Sequence, residues 1–590
     1  MRSQRIGNVF TLFARMMRDK GGNVLMIAAA AMIPLTGMVG GAIDLSRLYL
    51  VKVRLQHACD AGALAGRRSM AGGAWGADDL SVANQFFTGN FLNGAYGTGT
   101  VTTAFTQPTG STTVHGVAST TVPMTLMRVF AIPTKTVSVS CDSDMQMPNT
   151  DVMFVLDNTG SMSCDPNGNS CYSGSTSKIY GLKNAVKCFY EVLAQLKTNG
   201  SCTSTITNAG IANGTQLRFG FVPYTTNVNL KSLLLPSNYY ATSWPYQSRE
   251  VYQYWGNWSN TNISCNNVPQ NTSTTQYQKV TTNNYGWGGG TSCTVQSRTL
   301  SNEWHYGQVN LNLSGFSPSS SSVSLPIGNN YTNTSVTWDG CTEEAAATTD
   351  INSMADGQLA PALPDAIYLR ASGTGSLSSN SMTTSDQYTT SNYYNSVRAN
   401  FYFCPTAAQK LQTWSTSTFD NYVDSLVASG NTYHDVGMLW GGRLLSPEGI
   451  YKTDNTTTAT GGQIQRHMIF MTDGDAQSFA CDYQQFGIAW WDRRTDSNVG
   501  SASNCAGVNS TLSNDINTRL AALCTSVKAE PNTILWVISF GGTGIASDTK
   551  QRLQTCATDS SHYFDATSNA SLQTAFQTIA AKIAQLRITK

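Results

Sequence analysis

The run from Asn23 to Ile43 constrains this chain more than any other. It contains no Asp, Glu, Lys or Arg, and its centre reads Val24-Leu-Met-Ile-Ala-Ala-Ala-Ala-Met-Ile-Pro-Leu35. About 20 apolar residues cross a bilayer core, so the run predicts a transmembrane helix over 23–43. Arg2, Arg5, Arg15, Arg18 and Lys20 precede it. A cleaved signal peptide would have a shorter apolar region and a nearby Ala-x-Ala site, whereas Ala63 to Ala65 lies far downstream. The reading is an uncleaved anchor. Arg47, Lys52 and Arg54 follow the run, so the positive-inside contrast is modest. The cysteines break the tie. There are 14, most beyond Cys141, with no C-x-x-C pair and a Ser/Thr/Asn-rich background. Scattered cysteines of this kind predict disulfides and an oxidising compartment. Residues 1–22 are then a cytoplasmic tail, and the bulk of the chain lies outside the membrane.

Helical spacing continues after the anchor, predicting an amphipathic stem over 44–74. Leu45, Leu48, Val51, Leu55, Ala58 and Leu64 recur mostly at three- and four-residue steps. Such a stem either packs against other stems, as in a pilin stalk, or packs on its own domain. Alternating runs at Thr112–Val122 and Thr134–Ser140 predict a small β-rich module over 75–148. Three stretches here are similar to the N-terminus of TadG-like proteins of Tad (tight adherence, Flp pilus) assembly systems. They are Gly22-Asn-Val-Leu-Met, Gly41-Ala-Ile-Asp-Leu-Ser-Arg-Leu-Tyr, and Leu55-Gln-His-Ala-Cys-Asp-Ala-Gly-Ala-Leu-Ala. The resemblance implies a bacterial cytoplasmic-membrane protein, single-pass, with its mass periplasmic. Related pseudopilins carry a Glu five residues after a processing-site Gly. Here that position is Ile27 from Gly22, or Met26 from Gly21, so the processing signal is missing.

Charged residues are only 12% of the chain and the net charge is +1, which gives no basic face for nucleic acid. From Asp151 the pattern becomes α/β. Val152-Met-Phe-Val-Leu reads as a buried strand ending in Asp157-Asn-Thr159-Gly-Ser161. Alternate residues of a loop leaving a parallel strand point the same way. One carboxylate and two hydroxyls then converge, which suits a hard cation with oxygen ligands. This loop resembles the Asp-x-Ser/Thr-x-Ser motif of von Willebrand factor A-type domains. In that resemblance Thr432, before Tyr433-His-Asp, supplies a further hydroxyl at a helix start. Asp473, after strand Arg466-His-Met-Ile-Phe-Met, supplies the remaining carboxylate. The implied centre is a metal-ion-dependent adhesion site holding one Mg²⁺ or Mn²⁺ on Asp157, Thr159, Ser161, Thr432 and Asp473. The implied ligand is an Asp or Glu carboxylate of a protein partner. Helix 512–528, strand 533–539 and helix 571–586 complete an alternating order. That order predicts a doubly wound, mostly parallel, Rossmann-like α/β sheet over 151–590.

The segment from about 225 to 406 is longer than such a domain needs and is read as a folded insertion. It is dense in Asn, Thr and Ser and studded with Trp244, Tyr246, Tyr252, Tyr254, Trp255, Trp258, Trp287, Trp304 and Tyr306. These rings either form a satellite core or offer a contact surface for protein or sugar. Asp165-x-Asn167-x-Asn169 begins like an EF-hand loop, but Ser170 replaces the required Gly and Thr176 the final Glu. It reads instead as a turn closed by Cys164 and Cys171. His57, His115, His305, His434, His467 and His562 lack zinc spacing, and G-x-S-x-G, H-E-x-x-H and P-loop motifs are absent. No reaction is expected. Sequence proximity pairs Cys265 with Cys293 and Cys481 with Cys505, and more weakly Cys188 with Cys202 and Cys341 with Cys404. The Tad resemblance implies Cys524 with Cys556. Three functions compete: a pilus-assembly component engaging a pilin or assembly protein, a surface adhesin for a foreign protein or glycan, and a cytoplasmic chelatase-like partner of an ATPase. The anchor and cysteines argue against the third.

Overall fold

A 48-residue helix, α1 (Asn23–Met70), opens the described part of the chain. The structure is a computed structural model and describes residues 23–70, 75–108, 113–144, 149–172, 174–194, 216–285, 288–319, 322–325, 332–363, 403–459, 461–480, 482–499, 508–584 and 587–588. The expected tail over 1–22 lies outside them. Two compact units result: residues 1–147 with 190–215 and 580–590, and residues 148–189 with 216–579.

In the first unit α1 runs without a break through the anchor–stem boundary at Ile43 and Asp44, with Pro34 inside it. Among the described residues it is the one helix long and apolar enough to cross a membrane. Its second half packs on α2 (Ala77–Asn90) and on an antiparallel sheet of β1 (Thr102–Thr106), β2 (Val114–Pro123) and β3 (Thr134–Asp144). Arg587–Ile588 add a fourth strand to β3. Val51, Leu55, Ala58, Cys59 and Ala63 lie on one helix face and are fully buried against Phe87, Phe105, Ala118 and Val139. The stem therefore packs on its own module. A disulfide between Cys59 and Cys141 staples it to β3, a pair that sequence spacing did not suggest.

The second unit begins with β4 (Thr150–Asp157), α3 (Lys178–Leu193) and β5 (Leu217–Tyr224). The insertion carries β6 (Ser243–Trp255), β7 (Ser259–Asn260), β8 (Thr275–Asn283), β9 (Thr291–Asn312), β10 (Ser322–Leu325), β11 (Thr334–Thr337), β12 (Thr342–Glu344) and β13 (Leu359–Pro361). There follow β14 (Gln409–Gln412), α4 (Thr416–Asp424), α5 (His434–Leu445), β15 (Gln465–Thr472), β16 (Tyr483–Gln484) and β17 (Gly487–Ile488). Then come α6 (Ser510–Ala529), β18 (Thr533–Phe540), α7 (Ser547–Cys556), β19 (Tyr563–Ala566) and α8 (Asn569–Ile583).

The expected fold class, a doubly wound and mostly parallel Rossmann-like sheet of von Willebrand A type, is corrected by these pairings. Among the described residues, five of the six sheets are antiparallel throughout. Parallel pairing is confined to one six-stranded sheet of order β14-β5-β4-β15-β18-β19, and β14 joins even that sheet antiparallel. The physical reason is connectivity. A parallel pair needs a crossover of a dozen or more residues, usually helical, whereas local strands pair as hairpins. The insertion and the N-terminal module supply alternating polar–apolar strands joined by turns, so they close antiparallel. The segment 407–429, which leads out of the insertion, holds β14 and the short α4.

Side chains of β4 alternate between two cores. Phe154 meets Phe189, Phe219, Phe221, Phe419 and Phe576 on one face. Met153 and Val155 face the other core, which also holds Trp440 of α5 and insertion residues Trp244, Tyr246, Phe316 and Trp338. These insertion rings form core rather than surface. Trp255 and Trp258 are half-buried under the Arg298 guanidinium, while Tyr252 and Tyr254 are exposed. The side chains of Trp287, Trp304 and Tyr306 lie outside the described residues.

Candidate functional site

β4 and β15 are neighbours, and the chain leaves β4 toward β5 on one side before returning to β15 on the other. The two strands pair in parallel, so the loops that follow them leave on the same side of the sheet. Asp157 is the last residue of β4, and Asp473 follows the last residue of β15.

Asp157 is fully buried, and one of its oxygens accepts the Thr159 N–H at 2.9 Å, folding the loop back in an Asx turn. Its other oxygen accepts the Thr472 hydroxyl at 2.8 Å. The Thr159 and Ser161 hydroxyls are 3.0 Å apart, and Ser161 donates to Asp473 Oδ1 at 2.7 Å. The other Asp473 oxygen meets Lys178 Nζ, from the first turn of α3, at 2.6 Å. Two buried carboxylates are thus joined through hydroxyls, with Ser161 exposed at the mouth. Burial pushes both carboxyls up from their ordinary value. The neighbouring Asp157 charge adds to the rise at Asp473, and Lys178 opposes it.

Thr432 arrives on a third segment. Gly430 adopts φ +84°, which a side chain would resist, and its carbonyl accepts the Gly160 N–H at 2.9 Å. Ser429 donates to the Asn158 carbonyl at 2.8 Å, and Thr432 pairs with Gln477 through both backbone bonds. The segment is held from below by Asp482, which accepts from Asn431 Nδ2 at 3.0 Å, Tyr433 OH at 2.8 Å and the Phe479 N–H at 3.0 Å. Thr432, Ser161, Asp473, Lys178 and Asp475 line one cavity of about 370 Å³. Asp157 and Thr159 are buried next to this lining and joined to it through the Ser161 hydroxyl.

All five predicted site residues therefore lie at one strand-end cluster, and four of them are linked by hydrogen bonds. Sequence reading missed Thr472, Lys178, Asp475 and Asp482. Thr472 directly precedes Asp473 at the end of the predicted strand, so its position was a usable signal. Lys178 opens a helix with nothing local to mark it. His434 stands behind the cluster, 2.8 Å from the Thr472 hydroxyl through Nε2. Since Thr472 donates to Asp157, His434 donates from Nε2–H, and burial keeps the ring neutral by pushing it down to about 4. The donor set, two carboxylates and three hydroxyls, suits a hard divalent cation, with Lys178 removing one unit of the negative charge. Among the described residues another His/Cys/acid group, Asp339 with Cys341 and Cys404, is no metal site, because its cysteines form a disulfide.

Disulfides join Cys164 to Cys171, Cys265 to Cys293, Cys341 to Cys404 and Cys524 to Cys556. The first closes the turn in which Asp165 accepts the Asn167 and Asn169 N–H groups. Cys188 is also disulfide-bonded. Cys202, Cys481 and Cys505 lie outside the described residues.

No curated protein matches the chain. Among solved structures it is similar to the PilB minor pilin from Streptococcus sanguinis, at 11% identity over 83% of this chain and 79% of that one, with a TM-score of 0.29. It is similar to the pilus adhesin RrgA from Streptococcus pneumoniae, at 9% identity over 83% and 50%, TM-score 0.28. A third is the adhesive tip pilin GBS104 from Group B Streptococcus agalactiae, at 8% identity over 83% and 70%, TM-score 0.29. Superpositions this loose transfer neither fold nor function. The family comparison is confined to the anchor, the stem and the start of α2: residues 22–78 match the Tad family, Flp pilus-assembly TadE/G-like.

Proposed function

We propose that this chain is a membrane-anchored component of Tad/Flp-type pilus assembly that grips a protein partner through one Mg²⁺ or Mn²⁺ held on Asp157, Thr159, Ser161, Thr432 and Asp473. The observation that carries the metal half is the convergence of three chain segments on two buried carboxylates, one of which lines a cavity. The Tad match over residues 22–78 supports the pilus half. The apolar helix supports single-pass anchoring in a bacterial cytoplasmic membrane. The disulfides support placing both units on the oxidising side, with the N-terminus inside. Bound there, the cation would keep part of its coordination for water or an outside ligand, as Mg²⁺ commonly does. An Asp or Glu carboxylate of the partner, from a pilin or another assembly protein, is the matching chemistry. No reaction is part of the proposal. The adhesin alternative leaned on the aromatic insertion, whose Trp244, Tyr246 and Trp338 are buried.

Affinity purification of the full chain from native envelopes tests the reading. Partner recovery should fail with EDTA and with Asp157→Ala, while the variant stays folded because the sheet is held by apolar strands. Recovery of the same partner under both conditions would contradict it.

A further inference from the structure

Loop 124–133, between β2 and β3, carries a group of exposed apolar side chains. Val129 is 81% exposed, and Phe130 and Ile132 are each 41% exposed. The loop does not hang in solvent at random. It lies along α1 inside the uncharged run: a Cβ at Gly37 would fall 3.2 Å from the Phe130 ring, and one at Gly40 only 2.5 Å from Leu126 Cβ. Gly37 precedes Asp44, the first charge after the run, by seven residues, about 10 Å along a helix. If α1 spans a bilayer, Phe130 is therefore at hydrocarbon depth rather than above the surface.

The backbone of the loop is prepared for that medium. Lipid offers no hydrogen bonds, so a segment entering it must pair its own polar groups. Asp44 accepts the N–H groups of Thr125, Leu126 and Met127 at 2.9, 3.0 and 2.8 Å. Val129 donates to the Leu126 carbonyl, Ala131 to Arg128 and Ile132 to Met127. The one carboxylate at the edge of the run is thus turned inward on the loop. Arg128, within the loop, and Lys135, just beyond it, are both exposed and have side chains long enough to reach headgroups.

We infer that loop 126–132 is a second membrane contact, a wedge inserted into the outer part of the leaflet beside α1, so that the first unit is fixed to lipid at two points. This rests on the anchor reading. It also reassigns Gly37 and Gly40. A small-residue stripe on a membrane helix ordinarily suggests pairing with another helix, and here the chain's own loop occupies it.

The test is depth-dependent fluorescence quenching on the full chain in phosphatidylethanolamine/phosphatidylglycerol vesicles. A thiol-linked fluorophore is placed in turn by Val129→Cys, Met32→Cys and Tyr285→Cys. Among the described residues no cysteine is free, and the native chain carried through the same labelling gives the background to be subtracted. Met32 is 70% exposed within the apolar run, and Tyr285 is 97% exposed in the second unit. The probe at 129 should be quenched by nitroxide-labelled acyl chains, as at 32, and be several-fold less accessible to iodide than at 285. Quenching at 32 with iodide access at 129 equal to that at 285 would overturn the wedge while leaving the anchor standing. A probe at 129 shielded from both quenchers would mean a protein covers the loop, and would also overturn it. Absence of lipid quenching at 32 and 129 together would remove the anchor reading itself.

Discussion

Lys178 is the residue whose role is least obvious from the motif. Its ammonium lies 2.6 Å from Asp473, and both side chains are buried. A cation at the cluster must share Asp473 with it. Two unit charges about 4 Å apart interact by about 4 kcal/mol at an effective dielectric of 20, and a divalent ion feels more. Lys178→Met should therefore tighten Mg²⁺ or Mn²⁺ binding by about tenfold or more, roughly 1.4 kcal/mol. The metal-free protein should become less stable, because Asp473 is left buried without its counter-charge. Titration calorimetry on the two proteins checks this. Equal or weaker affinity in the variant would mean that Lys178 helps to hold the ion's ligands rather than competing with the ion.

At the scale of elements, the insertion is locked to the parallel sheet's layer by two adjacent buried carboxylates of β12. Glu344 receives Arg443 of α5 at 2.8 and 3.2 Å and Gln485 at 2.9 Å, with all three side chains buried. Glu343 receives Trp244 Nε1 and Arg494, each at 2.8 Å, and the Tyr483 hydroxyl. Removing one partner of a buried pair leaves the other charged and unsolvated, at a cost of about 3–5 kcal/mol. Glu344→Ala should lose that much in chemical denaturation, and adding Arg443→Met should recover most of it. A loss below about 1 kcal/mol would mean the insertion is not coupled to the sheet in this way. The contrast shows what was legible in the sequence. Asp157, Thr159 and Ser161 could be grouped from the sequence because a loop leaving a strand points alternate side chains the same way, whereas Thr432 and Asp473 came only from the resemblance to A-type domains. The stem's buried face could likewise be read from Val51, Leu55 and Ala58. The antiparallel character of most sheets could not, because alternation predicts strands without naming their partners. Glu343, Glu344 and the Cys59–Cys141 bridge depend on contacts across 82 or more residues. Only Arg443, a lone charge in the apolar run Gly437-Met-Leu-Trp-Gly-Gly-Arg443-Leu-Leu, hinted that a buried acid must meet it.

The whole molecule carries almost no net charge, so its pH response rests on individual buried groups rather than on overall repulsion. Burial holds His467 neutral, pushed down to about 3, with Nδ1 accepting from Trp536 at 3.1 Å. Its contribution to stability is complete above the unfolded value of about 6.5 and is lost as pH falls, by up to about 1.4 kcal/mol per unit. Burial pushes Asp482 the other way, up to about 7, so its contribution is complete below about 4 and is lost as pH rises through 7. Between about pH 4 and 6.5 the two oppose each other. Relative to the native chain, His467→Gln should become comparatively more stable toward low pH, and Asp482→Asn comparatively more stable toward neutral pH. Curves for both variants running parallel to the native curve would contradict the assignment.

The proposed grip on a partner turns on one ion. The direct measurement is Mn²⁺ binding to the purified full chain in detergent, read by calorimetry and by electron paramagnetic resonance. It should be repeated with Asp157→Ala and with excess Mg²⁺. The account predicts a single Mn²⁺ per chain, displaced by Mg²⁺ and lost in the variant, whose disulfides and thermal unfolding remain near native. No binding by the native chain, or undiminished binding by Asp157→Ala, would contradict it.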